Sequence, residues 1–164
     1  MATEMVLAHN LILRVLNSLY LQCTTPTLPE DINDLLIYAQ SWHDGIHHHH
    51  LCEETVFFPT IEAYTGEVGI MEKNVSQHEA FHPGLEEFRK YVFETKVEDY
   101  DGKKLRSIMD GFGPILTTHL KEEIDTLLSL EKFGGQKLAK SWAELEVKIQ
   151  EKVENKVSFL LSRL

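Results

Sequence analysis

Apolar residues along this chain recur at intervals of three and four, the spacing of amphipathic helices, and strand alternation is nowhere sustained. Residues 2–22 carry Met5, Ile12, Leu16 and Leu19 on one face, ahead of a proline-marked loop at residues 24–29. A second predicted helix, residues 31–64, carries Leu35, Ala39, Trp42, Ile46 and Val56, with Phe57 beside them. Glu30 and Asp31 stand at its start, where the helix dipole favours negative charge. Gly45 weakens it, and Pro59 predicts a kink or an early end. The third helix, residues 71–95, presents Val75, Leu85, Phe88 and Val92, with Pro83 inside it. The fourth, residues 103–130, presents Leu105, Ile108, Phe112, Ile115, Leu127 and Leu130, with a distortion predicted at Gly111, Gly113 and Pro114. Residues 136–164 carry Leu138, Trp142, Leu145, Val153, Val157 and Leu160, and read as one or two amphipathic helices packed outside the rest or on a partner. The expected architecture is all-α: an up-down-up-down four-helix bundle over residues 1–133, with a C-terminal helical extension over residues 134–164.

The stripes are interrupted by chemistry. His9 falls between Met5 and Ile12, and His49 follows Ile46 by three residues, with Glu53 four further on. His78 follows Val75 by three and precedes His82 by four; His119 follows Ile115 by four and precedes Glu123 by four. Each helix thus places polar groups where core aliphatic residues are expected. Buried carboxylates and imidazoles are costly unless something satisfies them. Residues i and i+4 share a helix face, so His49/Glu53, His78/His82 and His119/Glu123 can each close on a common site. Five imidazoles and two carboxylates exceed what one tetrahedral zinc takes, and suit two cations bridged by the carboxylates. Mixed nitrogen and oxygen donors with an open position favour iron over manganese or zinc. His50/Glu54 repeats the spacing of His49/Glu53, but His49 and Glu53 lie better on the Trp42–Ile46–Val56 stripe. His43, His47, His48 and His50 are expected to be exposed or to support the ligands from outside.

Composition narrows the partners. The net charge of −10 leaves no long basic patch, which argues against nucleic acid and against anionic lipid. No apolar run is long enough to span a bilayer, and the N-terminal residues lack the basic and apolar regions of a signal peptide. Two cysteines, Cys23 and Cys52, do not make a disulfide framework, so a reducing cytoplasmic setting is expected. The internal run of histidines at residues 47–50 is flanked by patterned sequence and reads as native rather than as a tag. A monomer or homodimer is expected.

Four stretches resemble the hemerythrin family in its HHE cation-binding form, in wording similar to fungal members: Ala8-His9-Asn10; His49 to Glu54 followed by Phe57-Phe58-Pro59; His78-Glu79-Ala80-Phe81-His82; and His119 to Glu123. The resemblance covers residues 4–131 and implies a pair of non-haem irons with an oxo or hydroxo bridge. By position, His78, His82 and His119 would hold one iron, His9 and His49 the other, and Glu53 and Glu123 would bridge. The iron with two histidines would keep an open position for dioxygen or another diatomic ligand such as nitric oxide. Oxygen carriers of the family place an aspartate five residues after the last histidine. Ile124 stands there in this chain, and Glu123 precedes it, which resembles glutamate-bridged members that sense iron or oxygen. The expected function is therefore ligand or metal binding, in sensing, storage or oxygen binding. The alternatives are a di-iron oxidase or peroxidase, and a helical scaffold whose partner binding depends on metal. Ferritin-like oxidases carry Glu-x-x-His motifs and are carboxylate-rich, whereas these motifs are His-x-x-x-Glu, so binding is ranked ahead of catalysis.

Overall fold

Four apolar stripes of this length have to be buried against one another, and the arrangement that does so is a ring of four rods. The computed structural model describes residues 2–134, and the predicted C-terminal extension lies outside them. The elements are α1 (Ala2–Gln22), α2 (Pro29–Cys52), a π turn (Glu53–Phe57), α3 (Phe58–Thr65), α4 (Glu72–Glu94) and α5 (Gly102–Ser129). Short 3₁₀ turns, Val97–Asp99 and Leu130–Phe133, flank α5. There is no strand among the described residues. α2, the π turn and α3 follow without a break as the second rod, so the expected four-helix bundle is what forms.

α1 packs on α2 and α5, α2 packs on α4, and α4 packs on α5, which closes the ring. Hydrogen bonds between rods show that neighbours run antiparallel. Near the middle, Trp42 Nε1 donates to the Ile12 carbonyl at 3.0 Å. At one end, Arg106 of α5 reaches the carbonyl of Tyr20 late in α1. Gln40 of α2 reaches the Val92 carbonyl late in α4.

The ends follow local chemistry. Asp101 caps α5, its side chain accepting from the Lys103 and Lys104 amides at 2.8 and 3.2 Å. Pro29 opens α2, where a missing N–H costs nothing. Gly66 closes α3 in the left-handed region, φ 73°, and donates to the Glu62 carbonyl. Pro83 and Pro114 do not break their helices; both rings lie on exposed faces, where the carbonyl each leaves unpaired can meet water. Pro59 has a larger effect. It has no N–H for the carbonyl four residues back, and the turn before it widens: Phe58 donates to the carbonyl of Glu53, five residues away.

The stripes are as expected in outline. Ile115 is the exception at 40 % exposed; Leu116 takes the inward place between Phe112 and His119. Val56 and Val75 are half-buried. Among the described residues the core is not continuous. One apolar cluster gathers Leu16, Leu19, Trp42, Ile46, Phe81, Phe88, Phe112 and Leu116, with Trp42 edge-on to Phe88 at 5.2 Å. A smaller one gathers Met5, Phe57, Phe58, Ile61, Met71, Leu127 and Leu130. Full burial of such side chains stabilises by about 1.5–3 kcal/mol each. A polar layer divides the two clusters.

Candidate metal centre

Every rod crosses that layer. His9 comes from α1, His49 and His50 from the end of α2, Glu53 from the start of the π turn, His78 from α4, and His119 and Glu123 from α5. All are buried except His49, which is intermediate. They form two groups that share one carboxylate. His50, Glu53, His78 and His119 make the first, and His9, His49, Glu53 and Glu123 the second; within each, one ligand atom per residue lies within 4.8 Å of the others.

Both carboxylates lie near imidazoles of both groups. Glu53 places Oε1 3.0 Å from His49 Nε2 and Oε2 3.5 Å from His78 Nε2. Glu123 Oε2 stands 3.2 Å from His9 Nε2 and 3.9 Å from His119 Nε2. The rings of His50 and His119 lie 4.4 and 4.4 Å from that of His78, centroid to centroid.

Hydrogen bonds outside the layer fix which nitrogens face inward. His9 Nδ1 is 2.8 Å from the Leu120 carbonyl, to which it donates. His78 Nδ1 donates to Glu54 Oε1 at 2.6 Å. His119 Nδ1 meets Gln77 Oε1 at 3.3 Å; Gln77 in turn donates to Glu122, which pairs with Lys73. A proton held on each Nδ1 leaves the Nε2 atoms of His9, His78 and His119 as lone pairs pointing at the centre. Carboxylate and carbonyl partners of this kind orient metal-ligating imidazoles and raise their basicity.

Burial holds His49, His50, His78 and His119 below the ordinary imidazole range, and crowding by neighbouring imidazoles adds to it for His50 and His119. They are therefore neutral near pH 7, the form that donates to a metal. Burial, reinforced by the charge of Glu123, pushes the Glu53 carboxyl well above its usual range.

In the polypeptide alone the layer is electrostatically incomplete. His9, His49 and His50 Nε2, both oxygens of Glu53 and both oxygens of Glu123 are buried without a hydrogen-bond partner. The Nε2 atoms of His78 and His119 face each other at 3.0 Å with both protons drawn outward. Such atoms repel unless positive charge sits among them. Donors about 2.1 Å from a metal stand about 3 Å apart when adjacent, which matches the 3.0–3.5 Å separations seen here. The residues present fit a pair of cations.

Six of the seven residues expected from the spacing meet in this layer; His82 does not. It is exposed and lines a separate surface cleft of about 360 Å³ with His43, His47, Glu86 and Arg89. Phe81 is the reason. It carries the buried stripe of α4 onward at 2 % exposed, and its ring packs on His50, His78 and His119 at 4.9–5.6 Å. With Phe81 turned inward, the next position faces water. His50 is the imidazole buried in the layer beside His78 and His119, contrary to its expected exposed or supporting place. The choice between His49/Glu53 and His50/Glu54 also dissolves. Both histidines enter, one toward His9 and the other toward His78, while Glu54 stays outside and supports His78. A signal for His50 was present: Trp42, Ile46 and His50 follow at steps of four. Of the other surplus histidines, His47 and His48 are exposed as expected, and His43 is buried at the cleft.

A helical bundle whose four rods each contribute imidazole or carboxylate to one buried layer is a cation-binding fold. The chain belongs to the hemerythrin family: the model of the Hemerythrin HHE cation binding domain matches residues 1–130. It is also similar to the dimeric xanthone biosynthesis cluster protein R11 of Cryptosporiopsis sp. (strain 8999), 40 % identical over 151 residues, which are 92 % of this chain. The chain spans 58 % of the length of that curated relative. No solved structure matches the chain. No helix among the described residues is long and apolar enough to cross a membrane.

Proposed function

We propose that the chain holds two non-haem iron ions and binds a small diatomic molecule, dioxygen or nitric oxide, in an oxygen- or iron-responsive role. His50, His78 and His119 would hold one ion and His9 and His49 the other, with Glu53 and Glu123 placed to serve both. His82, for which the family resemblance argues, is left out of this set. The observation that carries the reading is the convergence on one layer of buried imidazole and carboxylate atoms that have no hydrogen-bond partner. Imidazole and carboxylate donors without a thiolate favour iron over softer-seeking metals. When bound, the iron pair supplies the affinity and the electrons for such a ligand that the polypeptide lacks. The chain's own part is to present neutral imidazoles, to fix them through Glu54, Gln77 and the Leu120 carbonyl, and to close the layer between two apolar clusters that exclude water.

The test is elemental analysis of protein purified without a histidine tag, with optical spectra in air, under nitrogen and with nitric oxide. Two irons per chain and a visible band that depends on air or nitric oxide are expected. A chain that takes up less than one metal ion overturns the proposal.

The name of the similar fungal protein favours one second reading, an oxidative step in small-molecule biosynthesis at the same centre. Two irons, no ligand-dependent band under equilibrium conditions, and consumption of dioxygen together with a xanthone-type aromatic compound would select it.

A further inference from the structure

Beside the candidate ligands lies another buried group with nothing to bond. Asn74 is 1 % exposed, and neither its amide nitrogen nor its carbonyl oxygen has a hydrogen-bond partner. It occupies an inward position of α4 between Met71 and His78, where an aliphatic residue would satisfy the core. A buried amide left unpaired is destabilising, so its presence asks for a partner that the polypeptide does not provide.

The register of α4 on α5 shows what Asn74 faces. Lys73 and Gln77, one turn apart on α4, both reach Glu122 of α5, at 3.0 and 2.5 Å. The next residues round α4 are Asn74 and His78, on its buried face. On α5, the buried positions at this height are His119, Leu120 and Glu123, of which His119 and Glu123 are polar. His78 meets His119. The helices are antiparallel, so one turn back along α4 is one turn forward along α5, and Asn74 comes to the level of Glu123. Neither oxygen of Glu123 has a hydrogen-bond partner, Asn74 included, although Oε2 lies 3.2 Å from His9 Nε2. One turn further along each rod stand Met5, Phe57, Met71 and Leu127, all buried, which close this level with apolar side chains.

We propose that Asn74 and the Glu123 edge of the His9/His49 group frame a pocket for a small exogenous ligand, held by a hydrogen bond from Asn74 Nδ2. The pocket lies toward that half of the centre because Glu123 Oε2 stands nearer His9 Nε2, at 3.2 Å, than His119 Nε2, at 3.9 Å. An amide has the right chemistry, because it donates to an anionic or partly charged ligand and does not titrate. The apolar wall strengthens the bond by excluding water. This inference rests on the metal-centre reading and adds to it a residue that selects ligands able to accept a hydrogen bond.

Azide is a suitable probe, titrated optically into full-length, iron-loaded, oxidised protein. Asn74→Leu removes the amide while keeping the same branched heavy-atom skeleton, and Asn74→Ser keeps a donor should the leucine variant fold poorly. The leucine variant is expected to retain wild-type iron stoichiometry, to lose about tenfold in azide affinity, and to melt above the wild type when both are metal-free. The serine variant is expected to fall between. Fully loaded Asn74→Leu or Asn74→Ser protein with unchanged azide affinity overturns the pocket and leaves the metal centre standing. Wild-type protein that takes up no iron overturns the metal centre and the pocket with it.

Discussion

Replacing His50 and His82 separately by alanine separates two ways of completing the imidazole set. His50 is buried with an unpartnered Nε2 among His78, His119 and Glu53, whereas His82 is exposed. Iron content measured by elemental analysis is expected to fall from about two per chain toward one in His50→Ala, since one group loses a third of its nitrogen donors. It is expected to stay at the wild-type level in His82→Ala. The reverse result would move the ligand back to α4. The residue scale is also where sequence and structure part furthest. Periodicity puts His9, His49, Glu53, His78, His119 and Glu123 on inward faces, and all of them meet. It does not choose between Phe81 and His82, because adjacent positions straddle the edge of a stripe and packing decides which turns in.

Helix pairs carry a second kind of constraint. α4 and α5 approach closely where Gly84 meets Phe112; a Cβ built at Gly84 would lie 2.7 Å from the Phe112 Cβ. Phe112 is held by Phe88 and Trp42 and has little room to yield. Gly84→Ala is therefore expected to destabilise the protein by about 1–3 kcal/mol through overpacking. Gly111, in the exposed face of α5, has nothing within 4 Å of such a Cβ. Gly111→Ala is expected to stabilise by up to about 1 kcal/mol through helix propensity. Urea denaturation of both variants checks the contrast, and equal shifts in one direction would refute it. The π turn belongs to the same scale. Pro59 signals an irregularity in the second rod, but proline alone does not say whether a helix will kink, stop or widen. Here it widens at Glu53, the carboxylate common to both candidate groups, in keeping with the frequent placement of such turns at functional sites.

Across the whole molecule, the polar layer separates the two apolar clusters, and the same layer draws on all four rods. A cation bound there ties the rods together and removes the repulsion among the unpaired donors. Binding to the folded state alone adds stability, about 2.7 kcal/mol when free metal exceeds its dissociation constant a hundredfold. Stripping the metal with a chelator is expected to lower the melting temperature, and restoring iron should recover it. Hydrogen exchange should quicken most near residues 49–57, where the ladder of α2 is already interrupted by the π turn. Identical melting curves with and without metal would count against the linkage.

The spacing of apolar residues was enough to determine four helices and most of their inward positions, because burial of a stripe depends on a period that can be counted along the chain. The same count exposed polar groups on every stripe, and with them the prospect of a shared cation site. The tertiary structure decided what depends on neighbours from other rods: that His49 and His50 both enter, that Phe81 displaces His82, that Leu116 rather than Ile115 turns inward, and that Asn74 comes level with Glu123. Those outcomes rest on ring packing and on the register of one helix against the next. Neither is encoded in the periodicity of a single segment.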